Sequence, residues 1–139
     1  MTPAGDTPSR CVALAIELPA VPASAVLARG ALSGVLQREA DEDTRDTAAL
    51  LLTELVTNAA RHVGGSLRLE VLVEQETLRV EVLDGSPYLP AAPALPEWAS
   101  ESGRGLFLIE ALADRWGADA LPEGKRVWFE LTVQERETG

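Results

Sequence analysis

The stretch ELVTNAARH, from Glu54 to His62, lies in the longest helical pattern of the sequence and decides how the rest is interpreted. Apolar residues recur through it at helical spacing and form a predicted buried stripe: Leu52, Leu55, Val56, Ala59 and Val63. Glu54, Asn58 and Arg61 fall within about 60° of one another on a neighbouring side of the helix, where Leu51 flanks them. This polar trio therefore borders the predicted core, although a plain solvated helix face would carry the same residues.

The helix that contains this stretch has signals at both ends. The acidic segment 41–46 precedes it, and carboxylates suit the positive end of a helix dipole. We predict that the helix runs from about Thr44 to Val63 and that Gly64 and Gly65 stop it. An earlier helix is predicted between Pro22 and Glu39, after a strand at Cys11–Leu18.

Two runs of alternating apolar residues follow the long helix, at 67–73 and 78–84. The short polar segment between them predicts an antiparallel hairpin. Residues 85–102 read as a loop throughout. Next, Gly103-Arg104-Gly105 is predicted to open a helix at 106–116, which Gly117 ends. A last pair of strands is predicted around the turn at 122–125, the second of them alternating over 126–133.

These elements predict one domain over residues 11–133, with a loose tail at 1–10 and a polar tail at 134–139. Strands joined mostly as hairpins, with helices interspersed, indicate an α/β (α+β) two-layer sandwich. The expected architecture is a mixed, mainly antiparallel sheet covered on one face by about three helices.

Composition excludes several classes of function. The formal net charge of −10, with no cluster of Lys and Arg, argues against direct nucleic-acid binding. One Cys and one His cannot make a disulfide framework or a Cys/His metal site within the chain. No apolar run approaches the ~20 residues of a membrane span, and the first ten residues lack a signal-peptide pattern. We therefore expect a cytoplasmic protein with no membrane partner.

Two further features accompany the polar helix. Strand alternation points Asp84 to the same face as Val80 and Val82, which is the face expected to pack on helices. An Asp before Gly85 is also a common turn residue. Gly103 and Gly105 before an apolar helix would let the backbone approach a ligand, and helix N-termini bind phosphate. Each feature alone is weak evidence, and their order along the chain carries the argument.

In that order, the motifs ELVTNAARH, VEVLDGSP, GRGLFLIEALADRWG and GKRVWFEL resemble one known family. It is the ATP-binding domain shared by DNA gyrase, the heat-shock chaperone, sensor histidine kinases and mismatch-repair ATPases, with a Bergerat-type fold. The motifs are most similar to its small stand-alone bacterial branch, the anti-sigma-factor serine/threonine kinases. The resemblance covers about residues 11–133.

The resemblance implies roles for individual residues. Asn58 would coordinate a Mg²⁺ that bridges the phosphates of ATP, with Arg61 beside it, and Glu54 would act as general base. Asp84, followed by Gly85, would accept a hydrogen bond from the adenine amino group. The phosphates would be cradled by the opening of the third helix: Gly103, Arg104, Gly105 and Leu106. The loop 86–102 would be the lid over ATP. Oxygen ligands suit Mg²⁺, and positioning matters most in phosphoryl transfer.

The sequence departs from the family pattern at two places. The Asp-x-Gly-x-Gly box reads Asp84-Gly85-Ser86-Pro87-Tyr88, so that both later glycines are replaced. The Thr that often supports adenine binding in the penultimate strand motif is Arg126. Two functions therefore stay open. One is an ATP–Mg²⁺-dependent protein serine kinase. The other is a non-catalytic regulatory module with weak or no nucleotide turnover.

The resemblance also implies partners. An anti-sigma-factor kinase would bind a sigma factor and phosphorylate a small antagonist protein. The resemblance also allows this chain to form a homodimer. The residues alone name neither the sigma factor nor the antagonist.

Overall fold

The structure is a computed structural model that describes residues 11–62, 65–86 and 101–133. Eight elements follow one another along the chain: β1 (Cys11–Pro19), α1 (Ser24–Leu36), α2 (Glu42–His62), β2 (Ser66–Glu74), β3 (Thr77–Asp84), α3 (Glu101–Leu112), β4 (Arg115–Leu121) and β5 (Gly124–Thr132). Both predicted tails and nearly all of the predicted lid, residues 87–100, lie outside the described residues.

The strands form one five-stranded sheet in the order β1-β2-β3-β5-β4. Every neighbouring pair is antiparallel, including the predicted hairpin of β2 and β3. From β3 the chain crosses through α3 to the edge strand β4, and β5 then returns between β4 and β3. This α+β architecture confirms the predicted sandwich of an antiparallel sheet and three helices.

The core lies between the helices and one face of the sheet. Alternate strand residues such as Leu69, Val80 and Phe129 have no exposed surface, as expected for strands with one covered face. They meet buried residues from all three helices in one cluster, which includes Leu32, Leu36, Leu51, Leu52, Leu55, Val56, Ala59 and Ile109. The predicted apolar stripe of α2 is thus confirmed as far as Ala59, and Leu51 belongs to it.

Helix α2 begins at Glu42, two residues earlier than predicted. Asp41 caps it, because its carboxylate Oδ1 accepts a hydrogen bond of 2.9 Å from the backbone N–H of Thr44. Hydrogen bonding from Thr44 holds the pKa of Asp41 below its ordinary value. The acidic segment therefore contributes the cap and the first turn of the helix. It does not merely precede it.

The segment around Trp116 corrects the predicted third helix. Helix α3 ends at Leu112, and Arg115 already begins β4, so residues 115 and 116 are strand and Gly117 is no helix stop. The backbone N–H of Asp114 donates to the carbonyl of Glu130, which starts the pairing with β5. Helical spacing in the sequence continues through this segment, but pairing of β4 with the following strand β5 overrides it.

Gly117 allows a close stack on the sheet face opposite the helices. It lies across from Trp128, and a Cβ built on Gly117 would stand 2.7 Å from the indole Cζ2. The guanidinium of Arg79 lies 3.9 Å from the indole centroid and also pairs with Glu81 and Glu130. Burial works against the charge of Arg79, but these hydrogen bonds outweigh it and raise the pKa of Arg79.

We expect Gly117→Ala to destabilise the protein by about 1–3 kcal/mol, because the new methyl group must displace the Trp128 ring. Gly34→Ala is the matched control. Gly34 lies inside α1 with open space around it, so the same substitution should stabilise the helix by about 0.5–1 kcal/mol. Urea unfolding of both variants measures the difference. Equal effects of the two substitutions would contradict the tight stack.

Candidate functional site

Asp84 ends β3 on the sheet face that the helices cover. It shares this face with Val80 and Val82, as strand alternation predicts, and the side chain is only 1% exposed. A carboxylate removed from water in this way needs charged or hydrogen-bonding partners.

Those partners are Lys125 and the turn that follows β3. The ammonium Nζ of Lys125 lies 2.7 Å from Oδ2 and 3.0 Å from Oδ1 of Asp84. The backbone N–H of Ser86 donates to the same Oδ1 at 2.8 Å. The Lys125 side chain is also 1% exposed, so that the two opposite charges are buried together. Both oxygens of the carboxylate are therefore engaged.

The register of β3 and β5 produces this pair. Asp84 and Lys125 are direct cross-strand partners, and Gly124 comes immediately before Lys125. A Cβ on Gly124 would stand 1.8 Å from the backbone carbonyl oxygen of Asp84, and its φ of 155° is one that side-chain-bearing residues rarely adopt. Glycine at 124 thus lets the start of β5 lie directly against the end of β3.

Sequence reasoning missed Lys125, because it placed this residue in the turn at 122–125. A signal was present. The inward alternation of β5 passes through Phe129 and Val127, and one further step back reaches Lys125. A cation at an inward-facing strand position requires a buried anion, and Asp84 was the inward-facing carboxylate on the neighbouring strand.

Glu54 and Asn58 lie on α2, the helix that packs against β3 and β5. Both side chains are half-buried, between the fully buried Leu51 and Leu55 rows and solvent. Within the described ranges neither makes a hydrogen bond or an ion pair. Their oxygen and nitrogen atoms are therefore available to a ligand, which contrasts with Asp84. Arg61 continues the same helix, but its side chain lies outside the description.

The segment predicted to bind phosphate lies at a different place relative to α3 than the sequence predicted. Helix α3 begins at Glu101, so that Gly103, Arg104, Gly105 and Leu106 lie inside its first turns and do not precede it. The first four N–H groups of a helix have no partner within it. Those of Gly103 and Arg104 fall among these four, whereas that of Gly105 falls in the helical ladder. Any phosphate contact from this backbone would come mainly from residues 101–104.

An open depression of about 410 Å³ lies beside Asp84 and Gly85. Its other lining residues come from the strand ends and turns near β1, β2 and β5, and include Glu17, Arg68 and Glu123. None of its lining residues belongs to α2 or α3. The Asp84 carboxylate is buried and paired with Lys125, and the two glutamates beside one guanidinium do not suit a polyphosphate, so we do not assign the nucleotide to this depression.

Among residues 11–62, 65–86 and 101–133, none of the helices combines the length and the hydrophobicity of a membrane span. Among the same residues, no group of three or more His, Cys, Asp or Glu side chains is placed to hold a metal ion.

The family model for the histidine kinase-like ATPase domain matches residues 18–131. The chain belongs to this family of ATPase domains, as its motifs indicated.

Two relatives show which members of the family this chain resembles. The serine-protein kinase RsbW of Listeria monocytogenes, found in three strains, is 31% identical over 73% of this chain and 75% of RsbW. An uncharacterised protein of Streptomyces coelicolor is 43% identical over 49% of this chain and 69% of that protein. The chain is RsbW-like within the family.

Proposed function

We propose that this chain is an ATP–Mg²⁺-binding regulatory protein that transfers phosphate to serine or threonine of an antagonist protein and binds a sigma factor. The observation that carries the proposal is the family match over residues 18–131 together with the likeness to a serine-protein kinase. Glu54 and Asn58, half-buried on α2 without partners among the described residues, support it.

Each residue has a chemical task in this proposal. The Asn58 side-chain oxygen would hold Mg²⁺, whose charge would offset that of the phosphates. The Glu54 carboxylate would take the proton from the attacking hydroxyl. The backbone N–H groups at the start of α3 would receive phosphate oxygens. Asp84 would accept from the amino group of adenine.

A second candidate function is favoured by the buried pair of Asp84 and Lys125. The carboxylate that would read adenine already accepts three hydrogen bonds from within the protein. A regulatory module that keeps the fold and the partner surface, with little or no nucleotide turnover, accounts for this. A measurement of ATP binding distinguishes the kinase from a module that binds no nucleotide. A measurement of phosphate transfer distinguishes the kinase from any non-catalytic module.

We expect that ATP binding is strengthened by Mg²⁺ and that Asn58→Ala removes this dependence, because alanine supplies no oxygen to the ion. Thermal unfolding measured with ATP, with and without Mg²⁺, reports the difference as a shift in Tm. Thr57→Ala is the control, since Thr57 is a half-buried polar residue on the same turn of α2. Loss of the Mg²⁺ effect in both variants, or in neither, would contradict the assignment of Asn58.

A further inference from the structure

We propose that Lys125 determines the nucleotide affinity of this chain, because its ammonium occupies the place that the amino group of adenine would take on Asp84. The inference rests on the proposed ATP binding. It adds a specificity-determining residue that neither the motifs nor the family match assigned. In the structure, Lys125 is the internal partner that keeps the base-reading carboxylate satisfied when no base is present.

The Asp84 carboxylate has little room for the Lys125 ammonium and an adenine amino group at the same time. A carboxylate offers about four lone-pair positions, and three hydrogen bonds from two donor groups already use most of them: two contacts from Nζ of Lys125 and one from the Ser86 N–H. The Asp84 side chain is 1% exposed. An incoming amino group must therefore displace the ammonium from Asp84 or push it aside. A charged donor is bound more strongly than the neutral amino group that would replace it.

Removal of the ammonium should then favour adenine. Methionine is the substitution of choice at Lys125, because its side chain can follow the same path as that of lysine and ends one atom short of the Nζ position. Lys125→Met leaves Asp84 with a free acceptor position and with space for a donor from the ligand. We expect the affinity for ATP–Mg²⁺ to rise about tenfold or more, the usual effect of gaining one charged hydrogen bond.

Arg126→Met is the matched control. Arg126 is the next residue along β5. The family pattern put it where a Thr often supports adenine binding, but it points to the sheet face opposite Asp84 and pairs with Asp119 at a partly exposed site. Its replacement removes the same positive charge without touching Asp84. The affinity for ATP should stay within about twofold of the unsubstituted chain, since exposed ion pairs contribute little.

The base itself supplies a second control. Inosine triphosphate carries a carbonyl where ATP carries the 6-amino group, so it cannot donate to Asp84 from this position. Titration calorimetry with ATP–Mg²⁺ and with inosine triphosphate–Mg²⁺ should show that the gain of Lys125→Met is larger for ATP. Lys125→Gln keeps a neutral N–H donor and should give an intermediate gain. Lys125→Gln also replaces Lys125→Met in this test if the methionine variant does not fold.

The outcomes are distinct. Tighter ATP binding by Lys125→Met, with Arg126→Met unchanged, supports the inference. Equal ATP affinity in the unsubstituted chain and Lys125→Met, or an equal gain in both variants, overturns the inference and leaves the proposed function standing. An equal gain for both nucleotides also overturns it, because the amino group would then play no part. If no folded protein binds ATP, the inference and the proposed function both fail.

Discussion

Glu54→Gln is expected to keep ATP binding and to lower phosphate transfer by a factor on the order of 10²–10⁴, the usual contribution of a general base. The amide is nearly isosteric with the carboxylate, so α2 and its packing should be unchanged. The lost feature is the basicity of the carboxylate that accepts the proton of the attacking serine, since an amide oxygen is a far weaker base. Because Glu54 is half-buried and makes no ion pair among the described residues, no other charge is left unpaired by the change.

The measurement is the transfer of radioactive phosphate from ATP to a candidate antagonist protein, with ATP binding followed in parallel. Glu39→Gln is the control, since it removes one carboxylate from an exposed position just after α1. Transfer by the unsubstituted chain and by the control, but not by Glu54→Gln, is the expected result. Equal transfer by all three proteins would remove Glu54 from the mechanism.

The second large effect concerns stability. Asp84→Ala should lower the free energy of unfolding by about 3–5 kcal/mol, because it leaves the ammonium of Lys125 buried without a partner. Thermal unfolding should show a fall in Tm on the order of 10 °C. Asp119→Ala is the control. It removes the partner of Arg126 at a site where both side chains are partly exposed, and it should cost at most about 1 kcal/mol.

A double variant shows whether the loss comes from the unpaired charge. Asp84→Ala combined with Lys125→Met removes both charges from the interior, and such replacements are often close to neutral. The double variant should therefore recover most of the stability that Asp84→Ala loses. If the two effects simply add, the residues are not coupled, and the buried pair does not explain the cost.

Much of the fold could be predicted from local patterns. Alternation in β2, β3 and β5 marks strands with one covered face, and the apolar stripe around Leu55 marks α2. The edge strand β4 was predicted only as the first of the last two strands, and its start at Arg115 and Trp116 was assigned to the third helix. Its short sequence contains Gly117 and three alanine or leucine residues, so its start depends on pairing with β5 and leaves little local signal.

The candidate site was also predicted only in part, because some of its contacts depend on how two strands pair. The inward direction of Asp84 follows from strand alternation, and the position of Asn58 beside the core follows from helical spacing. The engagement of Asp84 by Lys125 depends on the register between β3 and β5, which Gly124 permits by its close approach. Register is a property of the folded sheet. A motif comparison therefore identifies the carboxylate but not the ammonium that satisfies it.

We propose that α2, the end of β3 and the start of α3 together form one ATP–Mg²⁺ site. Selective ¹⁵N labelling of glycine gives reporters at the predicted site, Gly85, Gly103 and Gly105, and away from it in α1, Gly30 and Gly34. Titration with ATP–Mg²⁺, followed by NMR, detects weak as well as tight binding. We expect saturable shifts of the signals from the three site glycines, with the signals of the α1 glycines unchanged. Saturation with no shift at the site, or shifts confined to Gly30 and Gly34, would contradict it.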